Sequence, residues 1–358
     1  MIHERGPMVQ TIFDGITAHR VRAPRLTAGV LERPAVSDAE STVVFIHGNV
    51  SSSLFWQPTM LALPGSVRAL AVDLRGFGDS DTLPVDATRG VRDFSDDVAS
   101  VLDALAVEDA HVVGWSMGGG VAMQLLIDRP ELVTSLTLVS PVSPYGFGGT
   151  DAEGRILDPS EPGVGGGGAN PDFVTRLVEQ DRSADAPTSP RTVLRTAYVA
   201  DPGSIADHED VWVESMLSTR TGADNYPGDA SSADAWPGFG PGRRGVLNTM
   251  APRYFDVSGI VDVADKPDIL WMHGVQDAIV SDASFFDLNQ LGALGVIPGW
   301  PGAEVAPPQP MVTQTRAVLE RYAARGGSYR ELAIEGCGHS AHLEAPEVFR
   351  EALIGQLG

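Results

Sequence analysis

One serine stands between glycines in the segment Gly114-Trp-Ser-Met-Gly118, which follows one apolar run and precedes another. A sharp turn from strand to helix lifts a serine in this position out of a sheet, so its hydroxyl is exposed as a nucleophile. Glycine at both ends of the segment removes side chains that would collide with the neighbouring backbone. The pattern therefore predicts that Ser116 is a nucleophile; the alternative is an ordinary glycine-rich helix start.

A serine nucleophile needs a base, and the base needs an acid that orients it. In a strand–turn–helix serine site these partners follow along the chain in the order acid, then histidine. Asp277 comes just after one apolar run and His339 just after another, so both are expected at the sheet edge where Ser116 emerges. We interpret Asp277 as the acid and His339 as the base. His342 is the competing base, and a turn or helix-cap aspartate is the alternative for Asp277.

Backbone amides near the serine complete the candidate site. The helix that begins at Met117 directs unpaired N–H groups towards the nucleophile. The His-Gly turn in Phe45-Ile-His-Gly-Asn-Val50 supplies a second donor. We predict that the amides of Met117 and Asn49 form an oxyanion hole, with Val50 as the near alternative to Asn49.

Three residues near these motifs are candidates for substrate contact. They are Val50, in the His-Gly turn, and the aromatic residues Trp56 and Trp115. Packing in the core is the alternative for both tryptophans.

Alternating strands and helices must position these residues. Short β-branched and apolar runs predict buried strands at Ser41–His47, Val67–Val72 and Ala110–Gly114. Further strands are predicted at Val133–Val139, Pro267–His273 and Tyr329–Ile334. Amphipathic or apolar segments predict helices at Phe94–Leu105, Met117–Ile127 and Glu347–Leu357. This alternation indicates an α/β fold with a mostly parallel, doubly wound sheet.

The alternation stops between about residues 140 and 265, where glycine, proline and aspartate are frequent. Helical patterns at Pro171–Asp181 and Asp207–Thr219 interrupt this region. We predict a core formed by residues 1–140 and 266–358 with an inserted, mainly helical cap at 141–265. A disordered linker between two domains is the alternative.

Composition limits the partners and the compartment. Cys337 is the only cysteine of the 358 residues, which excludes an intrachain disulfide. The formal net charge of −22 disfavours binding to nucleic acid or to anionic membranes. The first residues lack a basic start and an apolar core, so we expect no secretory signal and a cytoplasmic protein. We expect no metal or organic cofactor, and a homo-oligomer is possible.

These motifs together resemble the α/β-hydrolase fold superfamily. The matching segments occur in family order: His47-Gly-Asn, Asp73-Leu-Arg-Gly-Phe-Gly-Asp-Ser80, Gly114-Trp-Ser-Met-Gly-Gly119, Gly274-Val-Gln-Asp277 and Gly336-Cys-Gly-His-Ser-Ala-His-Leu-Glu-Ala-Pro346. The resemblance implies that dehalogenases and epoxide hydrolases of the superfamily carry aspartate where this chain has Ser116. The chain also lacks the proline-glycine signature of proline iminopeptidases and the longer glycine-rich turn of meta-cleavage hydrolases.

The expected activity is acyl transfer to water. We predict a serine hydrolase of the esterase or lactonase type that cleaves a discrete, fairly apolar small molecule through an acyl-enzyme. The alternatives are a cofactor-free perhydrolase or haloperoxidase, a C–C bond hydrolase, and a hydrolase-like protein that binds a small molecule.

Overall fold

The fold is built on one eight-stranded sheet. The computed structural model describes residues 9–36 and 39–357. The sheet has the strand order β1-β2-β4-β3-β5-β6-β11-β12. Its strands are β1 (Thr17–Arg22), β2 (Thr27–Arg33), β3 (Ser41–Ile46), β4 (Val67–Val72), β5 (Ala110–Trp115), β6 (Val133–Val139), β11 (Asp268–Gly274) and β12 (Tyr329–Ile334). Every neighbouring pair from β4 to β12 is parallel, whereas β2 is antiparallel to both β1 and β4.

Helices connect the parallel strands and follow the last one. They are α1 (Gln57–Ala62), α2 (Arg92–Ala104), α3 (Met117–Asp128), α4 (Pro171–Val178), α5 (Pro190–Val193), α6 (Glu209–Leu217), α7 (Leu288–Ala293), α8 (Met311–Ala324), α9 (Ala341–Glu344) and α10 (Pro346–Leu357). The apolar face of α2 is buried, with Phe94, Val98 and Val101 fully enclosed. Arg129-Pro130 follows α3 directly, since proline cannot continue a helix.

The sheet register aligns the ends of the central strands. Ile46 at the end of β3 lies opposite Gly114 of β5, and Trp115 lies opposite Val139 at the end of β6. Met272 of β11 pairs with the same Val139. The loops that follow these strands therefore leave from one edge of the sheet, where the carboxyl ends of parallel strands meet.

The predicted strands and the mostly parallel sheet are confirmed, with bounds that differ by at most one residue at an end. The two N-terminal strands were not predicted. Most of β1 is exposed and carries a polar, arginine-containing sequence, so it has no apolar alternation.

The chain leaves the sheet after Val139 and returns to it at Asp268, which brackets the segment predicted as a cap. Helices α4 to α6 lie in this insertion, together with two short ladders formed by β7 (Thr221–Gly222) with β8 (Tyr226–Pro227) and β9 (Ala230–Ser232) with β10 (Phe239–Pro241). Glycine-rich turns join these elements.

The insertion shares one continuous hydrophobic core with the sheet and its helices. Trp212 and Met216 of α6 are buried in it, and the turn Ser258–Asp262 packs against α3 and α8. The exact division into a core and a cap stays a prediction. Residues 1–8, on which the expected compartment depends, lie outside the described residues. Among the described helices, none has the length and apolar character needed to cross a membrane.

Backbone contact between β3, β5 and α3 leaves no room for side chains at two glycines. A Cβ on Gly118 would lie 2.4 Å from the carbonyl oxygens of both Ile46 and His47. A Cβ on Gly114 would lie 2.3 Å from the carbonyl oxygen of Gly118. The collision predicted from the sequence at these positions is therefore confirmed.

Gly118→Ala should lower the free energy of unfolding by about 3 kcal/mol or more, because the new methyl group can only fit if the first turn of α3 moves away from the end of β3. Gly355→Ala is the matched control, since Gly355 is a helical glycine with no neighbouring atom within 4 Å. The control should raise stability by about 0.5–1 kcal/mol through helix propensity. Urea unfolding measures the free energy of unfolding of both variants. Equal stability of the Gly118→Ala variant and the unmodified protein would contradict the close contact between α3 and β3.

Candidate active site

Ser116 stands at the turn between β5 and α3 in a strained backbone conformation, with φ +58° and ψ −123°. Its amide donates to the carbonyl of Val139, and its own carbonyl accepts from the amides of Gly119 and Val142. These contacts hold a conformation that is expected to cost about 1–3 kcal/mol in isolation. The residue is half-buried and borders a cavity above the sheet edge.

The imidazole of His339 is joined to the carboxylate of Asp277. His339 Nδ1 lies 2.8 Å from Asp277 Oδ2, and both side chains are almost fully buried. The other carboxylate oxygen accepts from the amides of Ile279 at 2.7 Å and Val280 at 3.0 Å. The carboxylate is therefore fixed by its own loop, and the proton belongs on His339 Nδ1, which leaves Nε2 free to act as a base.

The cavity brings the serine and histidine together. Ser116 and His339 both line it, although no hydrogen bond joins their side chains among the described residues. Such bonds are often long in enzymes without substrate and tighten on binding. Two members of the sequence-predicted trio, Ser116 and His339, thus border one cavity, and the third, Asp277, contacts His339.

The turn after β3 presents backbone amides at the same place. Asn49, Val50 and Met117 line the cavity with Ser116. The amides of Asn49 and Met117 donate no hydrogen bond within the described part of the chain. Both predicted oxyanion donors are therefore available to a ligand.

His47 fixes the direction of the Asn49 amide. Its Nε2 accepts from the amide of Leu74 at 3.0 Å, so its Nδ1 carries the proton and donates to the carbonyl of Gly48 at 2.7 Å. Burial lowers the pKa of His47 to about 4, which keeps the ring neutral. Since a trans peptide points its C=O and N–H in opposite directions, holding the Gly48 carbonyl also orients the next amide.

The cavity has a volume of about 550 Å³ and a mostly apolar wall. Its wall includes residues of the glycine-rich stretch 163–170, Phe285 and Phe286 of the loop after β11, and Leu291 of α7. Asp287 is the one carboxylate in the wall, and no lysine or arginine is among the lining residues. A cavity of this size and character suits one small, largely apolar molecule.

The comparisons with known proteins agree with this architecture. A family model described as the alpha/beta hydrolase fold matches residues 41–177, which include β3, β5, the serine turn and β6. The chain therefore has the α/β-hydrolase fold.

The chain is similar in part of its sequence to proteins whose names state different activities. A dihydrolipoyllysine-residue acetyltransferase component of an acetoin cleaving system from Cupriavidus necator is 43% identical over 30% of this chain and 27% of its own length. The carboxylesterase YbfK of Bacillus subtilis is 33% identical over 30% of this chain and 36% of its own length. The chain therefore matches only about a third of each relative.

A likeness in structure extends over nearly the whole chain. The crystal structure of a putative aryl esterase from Burkholderia cenocepacia superposes with a TM-score of 0.58 and 18% identity. The match covers 95% of this chain and 98% of the esterase. At this identity the likeness shows the α/β-hydrolase fold and does not carry the reaction.

The structure corrects two predicted substrate contacts. Trp56 is fully buried, with its ring 4.9 Å from Phe45 and 4.4 Å from His342, and does not line the cavity. Trp115 is also fully buried and off the cavity wall. Its indole N–H instead donates to the carbonyl of His339 at 2.8 Å and so fixes the histidine loop. Both tryptophans thus follow the core-packing alternative.

Sequence reasoning missed most of the cavity wall. Tyr198, which lies in the insertion, lines the cavity without a motif that marks it. The same is true of the residues after Asp277 that line it, which are Phe285, Phe286, Asp287, Leu288 and Leu291. The run Phe285-Phe286 between polar residues was the available signal, because exposed aromatic pairs in a loop near a catalytic acid favour a binding surface. No such signal marks Tyr198.

His342 does not serve as the base. Its ring is fully buried against Trp56 and Trp115, and neither ring nitrogen has a hydrogen-bond partner among the described residues. Burial, reinforced by His339, lowers the pKa of His342 to about 3.

A metal site is not found in residues 9–36 and 39–357. In these ranges, no group of three or more His, Cys, Asp or Glu side chains is placed so that it could hold a metal ion.

His342→Leu should make stability less sensitive to acid. The ring protonates in the unfolded chain below about pH 6.5 but in the folded protein only near pH 3, so the unfolded state binds more protons between these values. The free energy of unfolding therefore falls as the pH drops through this window, by up to about 1.4 kcal/mol per pH unit for this group.

The measurement is urea unfolding at pH 7 and pH 5. His342→Leu should lose less stability between the two pH values than the unmodified protein. His19→Gln, at a side chain that is 43% exposed, is the control and should keep the original loss. An unchanged pH response in His342→Leu would contradict a neutral, unpartnered ring.

Proposed function

We propose that the protein is a serine hydrolase that cleaves a neutral, fairly apolar ester or lactone through an acyl-enzyme on Ser116. One observation carries this proposal: the 2.8 Å contact between His339 and the buried Asp277 lies at the cavity that Ser116 also borders. A strained serine, a histidine with a fixed tautomer and free backbone amides are the parts that acyl transfer requires.

The first half of the reaction forms the acyl-enzyme. Ser116 Oγ attacks the substrate carbonyl carbon while His339 Nε2 takes the hydroxyl proton. Asp277 keeps the imidazole in its reactive tautomer and stabilises the cation that forms. The negative charge that develops on the carbonyl oxygen is held by the amides of Asn49 and Met117. His339 then gives its proton to the departing alkoxide, and the C–O bond breaks.

The second half returns the enzyme to its starting state. Water enters the position of the departed alcohol, and His339 takes one of its protons as the oxygen attacks the acyl carbon. The tetrahedral intermediate collapses, the bond to Ser116 breaks, and His339 returns the proton to the serine oxygen. The products are the carboxylic acid and the alcohol, or one hydroxy acid in the case of a lactone.

The cavity wall supports a neutral substrate. The lining residues include no cation that could pair with a carboxylate or phosphate, whereas Asp287 lies in the wall. Both oxygens of Asp287 accept backbone amides, from Asn289 and from Gln309. Burial raises the pKa of Asp287, so it adds either a negative charge or a neutral acid, and neither attracts an anion.

Replacing the serine should abolish hydrolysis. Proton release would be followed by pH-stat with a panel of short esters, long esters and lactones, for the unmodified protein and for Ser116→Ala. We expect turnover of at least one neutral member and a loss of about 10³-fold or more in the variant, with an unchanged melting temperature. Full activity of Ser116→Ala, or no activity of the folded unmodified protein on the whole panel, would contradict the proposal.

The substrate charge provides a separate prediction. We compare a neutral ester that is turned over with an analogue that carries a carboxylate at the end of the acyl chain. The kcat/KM of the analogue should be lower by at least about 10-fold, because the wall offers the anion no partner. Initial rates at matched ionic strength measure the ratio. Equal or faster turnover of the anionic analogue would show that the substrate is not selected as neutral.

A further inference from the structure

The turn that carries the Asn49 and Val50 amides has an unfavourable backbone conformation. Val50 has φ +45°, in the left-handed region that β-branched residues rarely adopt. Its side chain is 2% exposed, so the turn is packed between the sheet edge and the insertion. A residue in this conformation persists only where its surroundings hold it.

Side chains hold three successive carbonyls of this turn. From the core side, the carbonyl of Gly48 accepts from His47 and from the hydroxyl of Ser51 at 2.8 Å. From the insertion, the hydroxyl of Tyr198 lies 3.0 Å from the carbonyl of Asn49 and 3.1 Å from that of Val50 and is shared between them. Because each carbonyl shares a planar peptide group with the next amide, the bonds to Gly48 orient the amide of Asn49, and the bonds from Tyr198 orient the amides of Val50 and Ser51.

Tyr198 is itself placed with little freedom. It ends a π-helical turn, Leu194–Tyr198, that continues from α5. Such turns shift the direction of the following side chains and are frequent at functional sites. The ring is 6% exposed and stands edge-on to Trp115 at 5.8 Å and to His339 at 6.2 Å. Burial raises the pKa of the Tyr198 phenol far above its usual value, so the hydroxyl remains a donor.

The residues just after Tyr198 are anchored to the histidine loop. The amides of Ala200 and Asp201 donate to one carboxylate oxygen of Glu344, at 2.6 Å and 3.0 Å. The other oxygen accepts from the amide of Gly338, the residue before His339, at 2.7 Å. One short segment of the insertion therefore contacts both the oxyanion turn and the loop that carries the base.

We propose that Tyr198 is a positioning residue that holds the oxyanion turn in its donor-presenting conformation, and that Glu344 anchors the segment carrying it. This inference rests on the proposed function, because it assigns a role in the same reaction. It predicts that losing one hydroxyl in the insertion slows the chemical step without weakening substrate binding in proportion.

Tyr198→Phe is the direct test, since it keeps the ring and removes only the hydroxyl. We expect kcat to fall about 10-fold or more while KM changes less than about 3-fold, because the turn loses a restraint that matters most when charge develops on the substrate oxygen. Affinity for a boronic acid, which forms a tetrahedral adduct with the serine, should fall by a similar factor.

Tyr322→Phe is the matched control. Tyr322 is also fully buried, and its hydroxyl donates to the backbone carbonyl of Pro267 at 2.5 Å. Neither residue lines the cavity. Both variants lose one buried hydroxyl bond to a backbone carbonyl and should lower the melting temperature by comparable amounts. Only Tyr198→Phe should lower kcat.

Glu344→Gln tests the anchor. The amide side chain offers one oxygen to three backbone donors, so the segment after Tyr198 should loosen, and kcat should fall in the same direction. Combining it with Tyr198→Phe should produce less than the product of the two separate losses, because both changes act on one turn. Wild-type kcat in Glu344→Gln would overturn the role of the anchor.

The outcomes separate this inference from the proposed function. If the unmodified protein hydrolyses esters and Tyr198→Phe keeps kcat and boronic acid affinity within about 2-fold, the positioning role is wrong and the proposed function stands. Equal losses of kcat in Tyr198→Phe and Tyr322→Phe would also overturn it, because they would reflect stability alone. If the unmodified protein neither hydrolyses esters nor reacts with a fluorophosphonate, the proposed function fails and this inference fails with it.

Discussion

Contact between backbones at the sheet edge is the constraint on which the rest of the site depends. The end of β3, the end of β5 and the first turn of α3 approach so closely that Gly114 and Gly118 have no space for a Cβ, and a Cβ on Gly48 would lie 2.9 Å from that of Ser116. The same approach forces Ser116 into its positive φ and directs its hydroxyl into the cavity. The strain is offset by packing around three buried strands, which hold the proposed nucleophile in this conformation.

The core and the insertion contribute different parts to the site. Parallel strands bring Ser116, Asp277 and His339 to one edge because their loops all follow carboxyl ends of strands. Hydrogen bonds within the core then fix each group, as the indole of Trp115 does for the histidine loop. The insertion closes the cavity over this edge and reaches back to the oxyanion turn through Tyr198. Tyr198 of the insertion thus both lines the cavity and contacts the turn proposed as the oxyanion hole.

The sequence predicts the parts of this molecule that depend on local pattern. The central strands are rich in apolar and β-branched residues, and the serine turn requires glycines at fixed spacing, so the central sheet and the site of Ser116 can be read directly. The exposed strand β1 has no such pattern and was missed. Trp56 and Trp115 were misassigned because a tryptophan beside a catalytic motif looks the same whether it faces the cavity or the core. Tyr198 could not be found, since its role depends on how the insertion folds back over distant residues.

The central claim is that Ser116 carries a covalent acyl group during turnover. The most direct measurement is rapid acid quenching of the protein with a neutral ester that it hydrolyses, followed by intact mass and peptide mapping. We expect the peptide that contains Ser116 to gain the mass of the acyl group, with at most one acyl group per protein chain. The Ser116→Ala variant should form no adduct. Turnover without any adduct in protein quenched before the steady state, or an adduct on another residue, would contradict it.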